Sequence, residues 1–275
     1  MSALLPAAVP RKNARPLGRF ALVVLGIVLA VQGCAPPEES GSGPGHRRQY
    51  LGLTPQQEYK AGVEAYQQIL DEAREKDALL PADSPETRRV VRVGKHIVEA
   101  VRIKPLQREI NLSLEGYRFD WEFNVLHSRQ INAFCLPGGK VAVFSGLLRV
   151  VANDDQLATV LSHEIAHALA HHSNERITRD ANGQASWLFD KAYDRQQESE
   201  ADHIGLFLMT FAGYDPDETV AFWQRMRQTQ RGGQLPEILS DHPSDRRRIQ
   251  QLRAWVPQAK AAKIAYDHHH IAASR

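Results

Sequence analysis

Apolar positions along the chain change period twice, from helical to alternating and back. Thr54-Pro55 opens a run in which Ala61, Ala65, Ile69 and Ala73 recur every four residues, with Glu58 in its first turn. Proline suits a first helical position, where its missing N–H would be unpaired anyway, so this reads as a helix start. Ser84-Pro85 opens a second run, with Val90, Val93, Ile97 and Val101 on one stripe. The period then falls to two in "FDWEFNVL" (119–126), "INAFCL" (131–136) and "VAVFSG" (141–146), which predicts strands. "PGGK" between the last two is a glycine-rich hairpin turn. After Asn153 the helical period returns, with Asp154 and Asp155 in the first turn, where the positive end of a helix favours acids. Further helices are expected over 194–212, 218–230 and 244–256, with Gly213 closing the first and Asp215-Pro216 introducing the second. No internal repeat is visible. The expected fold class is α+β: one mostly helical domain over 50–257 with a small β-sheet.

The ends of the chain have a different composition. Residues 1–33 carry Arg11, Lys12, Arg15 and Arg19, no acid, and the apolar run "FALVVLGIVLAV" (20–31). That run has 12 residues, whereas a bilayer span takes roughly 17–25, so it reads as a signal-peptide core. It ends in "VQGC", which resembles a bacterial lipobox, and Cys34 is then the lipidation site. Ala35 follows the cysteine, not Asp, so by resemblance to sorted lipoproteins the outer membrane is the expected destination. Several acyl chains on one cysteine anchor a protein stably, since one chain holds only marginally. Residues 34–49 include "APPEESGSGPGHRR", a Pro, Gly and Ser-rich stretch expected to be a flexible tether. Residues 258–275, ending in "DHHHIAASR", are expected to form a disordered polar tail.

Charge and cysteine content narrow the function classes. The net charge is +2, but without the four basic residues of the signal segment 30 basic residues face 32 acidic ones. A nearly neutral body has no electrostatic footprint for nucleic acid. With Cys34 lipidated, Cys135 has no partner, which excludes a disulfide-stapled fold and leaves Cys135 as a small buried hydrophobe.

The chemistry sits in "LSHEIAHALAHH" (161–172), four histidines and a glutamate in twelve residues. His163 and His167 are four apart and project from one face of a helix, as two imidazoles sharing one zinc must. Glu164 lies beside them, placed to take a proton from a metal-activated water. This HExxH pattern, flanked by Leu161, Ile165, Ala166 and Leu169, is the core signature of zinc peptidases. The metzincin extension fails, because Ala170 and Ser173 stand where glycine and the third histidine would be. Along a straight helix three successive turns cannot all reach one ion, so His171 and His172 are expected to be outer supports or surface groups. A third ligand should come from another helix. "ESEAD" (198–202) holds Glu198 and Asp202 on one face; one carboxylate can bind the metal while the other orients a ligating histidine through its second ring nitrogen.

"NAFCLPGGKVAVFSGLL", "LSHEIAHALAHHSNER", "ESEADHIGL", "AGYDP" and "DHPSDRRRI" together resemble one zinc metallopeptidase family. It includes HtpX, the CAAX prenyl proteases, the mitochondrial Oma protease and the periplasmic BepA and LoiP enzymes. The resemblance runs in order from about Gln57 to Leu252 and is closest to the soluble, lipoprotein-like members. It implies a zincin-like domain holding one zinc ion per chain, with Glu198 as third ligand and Asp202 as the ligand-orienting residue. It also implies a place near the metal for His242, as a cap in a resting state or as an oxyanion donor during catalysis. Arg248 matches an arginine that orients this group. Two departures stand out: only 30 residues (168–197) separate His167 from Glu198, and His203 replaces a typical arginine.

The expected activity is zinc-dependent endopeptidase cleavage of misfolded or unassembled envelope proteins at the periplasmic face of the membrane. Substrate would lie extended along the strand 131–136, contacting Asn132, Ala133 and Phe134 through main-chain pairing. Unfolded envelope polypeptides, the membrane through the lipid anchor, and outer-membrane assembly machinery are the expected partners. The competing expectation is a zinc-bound chaperone or assembly factor whose peptidase activity is latent.

Overall fold

The computed structural model describes residues 38–42, 48–181, 187–229, 238, 242 and 246–273. The expected signal segment and lipidation site, Cys34, lie outside them. In chain order the elements are β1 (Glu38–Ser42), β2 (Arg48–Leu51), α1 (Pro55–Glu75), α2 (Pro85–Val101), α3 (Lys104–Glu109), β3 (Glu122–Leu126), β4 (Ala133–Leu136), β5 (Lys140–Phe144), α4 (Ser145–Leu148), α5 (Asp154–Leu169), α6 (His172–Ala181), α7 (Trp187–Phe211), α8 (Asp217–Thr229) and α9 (Arg246–Ala273). The fold is α+β and mostly helical, as the periodicity predicts.

Local chemistry explains the starts of the main helices. Thr54 caps α1: its hydroxyl accepts from the Gln57 amide, and the Gln57 side chain accepts from the Thr54 N–H. This reciprocal pair satisfies two donors that a helix N-terminus leaves open. The Ser84 and Asn153 side chains cap α2 and α5, accepting from the Thr87 and Gln156 N–H groups without the reciprocal bond.

The central sheet has the order β3-β5-β4, with β3 parallel and β4 antiparallel to β5. Gly138 and Gly139 both have φ of +80° at the β4–β5 turn, a conformation that side-chain-bearing residues rarely adopt. Every residue of β5 is buried because both sheet faces are covered. Val141 and Val143 face the large core shared with α2, α5 and α7, while Ala142 and Phe144 meet Tyr66, Ile69 and Leu70 of α1. The Tyr66 hydroxyl donates to the Val141 carbonyl at 2.6 Å. Helix α5 is enclosed from Gln156 to Leu169, and α7 packs along it more extensively than any other element.

Three expectations need correction. The stretch read as a flexible tether contains a hairpin, β1 paired antiparallel with β2. Polar bonds to α6 and to the end of α5 hold β2 and the two residues after it, which is why no apolar period marks them. The Gln49 amide donates to the Ala170 carbonyl at 2.7 Å, Gly52 N–H to Thr178 Oγ1 at 2.6 Å, and Leu53 N–H to Asn174 Oδ1 at 3.0 Å. At the other end, α9 does not stop at Val256 but runs through Pro257 to Ala273, so the expected disordered tail is helical. Buried Ala259 and the partly buried Ala262 and Tyr266 continue its packed face, and tertiary contact outweighs the proline. Finally, the helix carrying HExxH ends at Leu169, and His171 adopts φ of +57°. The chain therefore turns before α6, and the straight-helix geometry assumed for His171 and His172 does not apply.

Candidate metal centre

Helix α5 presents His163, Glu164 and His167 to one place, and α7 brings Glu198 and Asp202 beside them. His242, four residues before α9, and Arg248 on α9 close the same site. Ligand atoms of His163, His167, Glu198 and His242 all lie within 4.8 Å of one another. The individual separations are informative. His163 Nε2 is 3.1 Å from His167 Nε2, 3.2 Å from His242 Nδ1 and 3.3 Å from Glu198 Oε2, and His167 Nε2 is 3.3 Å from Glu198 Oε1. A tetrahedral zinc with bonds of about 2.0–2.1 Å sets its ligand atoms about 3.3 Å apart. Several lone pairs converging in a buried space, with a carboxylate among them, form a donor set suited to a divalent cation.

The surroundings fix the direction of these groups. Asp202 Oδ1 lies 3.0 Å from His163 Nδ1, which turns the Nε2 of that ring towards the cluster. Asp202 in turn accepts two bonds from Arg248, each 2.7 Å, and Arg248 also donates to the His242 carbonyl at 3.2 Å. Trp223, fully buried on α8, lies under the Arg248 guanidinium at 3.6 Å from ring centroid to Cζ.

The electrostatics reflect this asymmetry. Burial alone would lower the basicity of His163, but its bonds to Asp202 and Glu198 outweigh it and raise the pKa to about 9. For His167 burial prevails and the pKa falls to about 3. The Glu198 carboxyl is pushed up by burial yet stays well below the usual carboxylate range, because His242 and His167 face it and His163 bonds to it. Asp202 is likewise pushed up by burial and pulled lower by Arg248 and His163.

Glu164 is buried, and His242 Nε2 lies 3.3 Å from its Oε1. His242 thus spans the cluster with Nδ1 and approaches the expected general base with Nε2. Two histidines that the sequence reading set aside prove to be buried. His171 Nδ1 lies 2.9 Å from Glu58 Oε1, with its ring stacked on Tyr117 at 3.7 Å. His172 reaches back to His167, 2.8 Å between their Nδ1 atoms. Cys135 is buried in the core, where loss of solvation pushes its thiol pKa well above the ordinary value. His203 packs its ring against Phe207 and Trp255.

The expected substrate strand, β4, pairs with β5 on one side only and packs against α5 on the face containing Ala133 and Cys135. Phe144 N–H donates to the Asn132 carbonyl, so alternation directs the main-chain groups of Phe134 to β5 and those of Ala133 and Cys135 to the open edge. The Ala133 amide is already taken by Asn132 Oδ1 at 2.9 Å, and the Phe134 ring meets Phe144. Ile238 N–H donates to the Ile131 carbonyl, and His242 N–H to the Ile238 carbonyl, linking the start of this edge to the metal cluster. Two supports escaped sequence reading, Glu200 and Trp223, whereas His172 falls among the outer supports expected. The paired histidines in "HALAHH" were visible, but the turn that brings His172 back was not.

Comparison with known proteins agrees with this geometry. The model of "Peptidase family M48" matches residues 95–190 and 180–256. The mitochondrial metalloendopeptidase OMA1 of Schizosaccharomyces pombe is 34% identical over 248 residues, covering 82% of this chain and 68% of that protein. The OMA1 of Saccharomyces cerevisiae is 34% identical over 239 residues, covering 78% and 68%. The beta-barrel assembly-enhancing protease of Escherichia coli O157:H7 is 27% identical over 177 residues, half of this chain and 36% of the relative. With a family model spanning the HExxH helix and the carboxylate-bearing helix, and relatives aligned along most of its length, this chain belongs to peptidase family M48 and is a zinc metallopeptidase.

Proposed function

We propose that this zinc metalloendopeptidase cleaves misfolded or unassembled polypeptides in the bacterial cell envelope, held to the periplasmic face of the outer membrane by a lipid on Cys34. The observation that carries the catalytic reading is Glu164 buried beside a convergent donor set of His163, His167, Glu198 and His242. The edge of β4 left unpaired among the described residues supports an extended substrate at Asn132, Ala133 and Phe134, with the Ala133 carbonyl and the Cys135 main chain offering pairing groups. Edge pairing recognises unpaired backbone more than side chains, which suits unfolded clients. Among the described residues no helix is long and apolar enough to cross a membrane. The relatives are mitochondrial and bacterial, and the bacterial one is named for β-barrel assembly, which supports an envelope client.

His163, His167 and Glu198 would hold the zinc, with Asp202 and Arg248 keeping His163 in the ligating tautomer. Bound zinc supplies a Lewis acid that activates water and polarises the scissile carbonyl. Glu164 removes a proton from the attacking water and then delivers it to the leaving amine as the C–N bond breaks, which returns it to a carboxylate. His242, beside Glu164 and the donor set, would donate to the developing oxyanion once substrate displaces it.

A second reading has one observation in its favour. His242 Nδ1 already sits 3.2 Å from His163 Nε2, as a fourth ligand would. This suits an assembly factor whose peptidase activity is latent until a client displaces the histidine. Zinc-loaded wild type and Glu164→Gln should be compared on casein and an unfolded outer-membrane protein. The variant is expected to keep its zinc and lose cleavage; undiminished cleavage refutes the role of Glu164. Palmitate labelling that persists in Cys34→Ser would refute the lipid anchor.

A further inference from the structure

The two ligand histidines of α5 are braced in different ways. His163 Nδ1 meets a carboxylate, Asp202. His167 Nδ1 meets another imidazole, His172 Nδ1, at 2.8 Å, and His172 Nε2 lies 3.1 Å from Glu200 Oε2. His172 is 1% exposed and Glu200 7% exposed, so water does not compete for these contacts. We propose that His172 and Glu200 are positioning residues that set the tautomer and orientation of His167, a proton-ordered relay parallel to the Asp202–Arg248 brace on His163.

Donor and acceptor capacity determine the order of protons. A carboxylate only accepts, so His172 carries its proton on Nε2 and donates it to Glu200. The His172 Nδ1 lone pair then requires a donor, and the facing atom is His167 Nδ1. A proton on His167 Nδ1 leaves the lone pair on its Nε2, which is the atom 3.1 Å from His163 Nε2 and 3.3 Å from Glu198 Oε1. The backbone makes the relay possible. The left-handed turn at His171 ends α5 and swings His172 back under His167, and Gln197 secures the turn by donating to the His172 carbonyl at 3.3 Å. The brace on His167 is a neutral ring backed by a carboxylate one step removed, so it orients the ligand without placing a negative charge against it.

This inference rests on the metal reading of the site. Its test is the zinc dissociation constant of the full chain, measured by competition with a chromophoric chelator, together with the visible spectrum of the cobalt(II)-substituted protein. His172→Leu is expected to weaken zinc binding about 10–100-fold, the usual effect of losing a ligand's hydrogen-bond partner. Asparagine and glutamine separate orientation from packing. Asparagine can place an acceptor oxygen where Nδ1 stood, and glutamine places its amide at the Nε2 position. His172→Asn should therefore bind zinc within a few-fold of wild type with an unchanged cobalt spectrum, while His172→Gln resembles the leucine variant. Equal affinity of Leu and wild type, or equal loss in Asn and Gln, overturns the relay. Should the leucine variant fail to fold, the Asn and Gln pair decides alone. A wild-type chain that binds no zinc would instead refute the metal reading itself.

Discussion

Gly205→Ala is the most direct test of how the fold builds the site. Gly205 lies on α7, three residues beyond Asp202 and seven beyond Glu198, so all three share one helix face. A Cβ added there would stand 3.0 Å from the Ser162 carbon and oxygen and from the His163 nitrogen, against 3.4 Å or more for ordinary contact. All three are backbone atoms of α5, and none can swing away as a side chain would. The helices must part by about 0.4 Å, close to the ~0.5 Å within which a functional constellation must be held. The separation acts along the line joining Glu198 and Asp202 to His163. Overpacking costs about 1–3 kcal/mol, and replacing a helical glycine with alanine returns about 1 kcal/mol, so zinc-free stability should fall by about 0–2 kcal/mol. Zinc affinity should fall about tenfold or more, as it does when ligand support is disturbed. Denaturant unfolding with chelator present and zinc competition on the same samples measure the two quantities separately. A variant with zinc affinity within twofold of wild type would refute the view that this close helix contact sets the ligand spacing.

Trp223→Leu should destabilise the protein by about 2–4 kcal/mol in denaturant unfolding, through lost volume and the desolvated cation–π contact with Arg248. It should also lower kcat/KM, and Trp223→Phe should recover much of both; wild-type cleavage by the leucine variant would show that Arg248 needs no such floor. Tyr117, stacked on His171, has its phenol pushed up to about 12 by burial and by the charge of Glu58. A raised folded-state pKa favours the protonated form. Its contribution to stability is therefore full below the ordinary phenol pKa near 10 and is lost as pH rises through about 12. Tyr117→Phe should flatten this alkaline decline in melting temperature, and an unchanged decline would assign it to other groups.

Much of the architecture follows from local pattern. Thr54-Pro55, Ser84-Pro85 and Asn153 start helices because their side chains satisfy open amides and their prolines lack one. The alternation in "INAFCL" and the two glycines of "PGGK" specify a hairpin for the same kind of local reason. HExxH is legible because both imidazoles and the glutamate lie within two turns of one helix. The need for a third ligand and their shared helix face pointed to Glu198 and Asp202, but only likeness to a family chose Glu198, since its 31-residue distance from His167 encodes no geometry.

Tertiary structure decided the rest. The end of the β1–β2 hairpin and the two residues after it are held by polar bonds to Ala170 and to α6, so this stretch carries no apolar period. Helix α9 passes through Pro257 because its far end has a core to pack against. Above all, the sequence separated the ligands His163 and His167 from His171 and His172 but could not say what the latter two support. A single left-handed residue, His171, ends the helix and returns His172 to the back of His167, while the close approach at Gly205 brings Glu198 and Asp202 to the front. Periodicity describes which face a residue occupies on its own helix; where two helices meet, and which lone pairs then converge, is set only by how they pack.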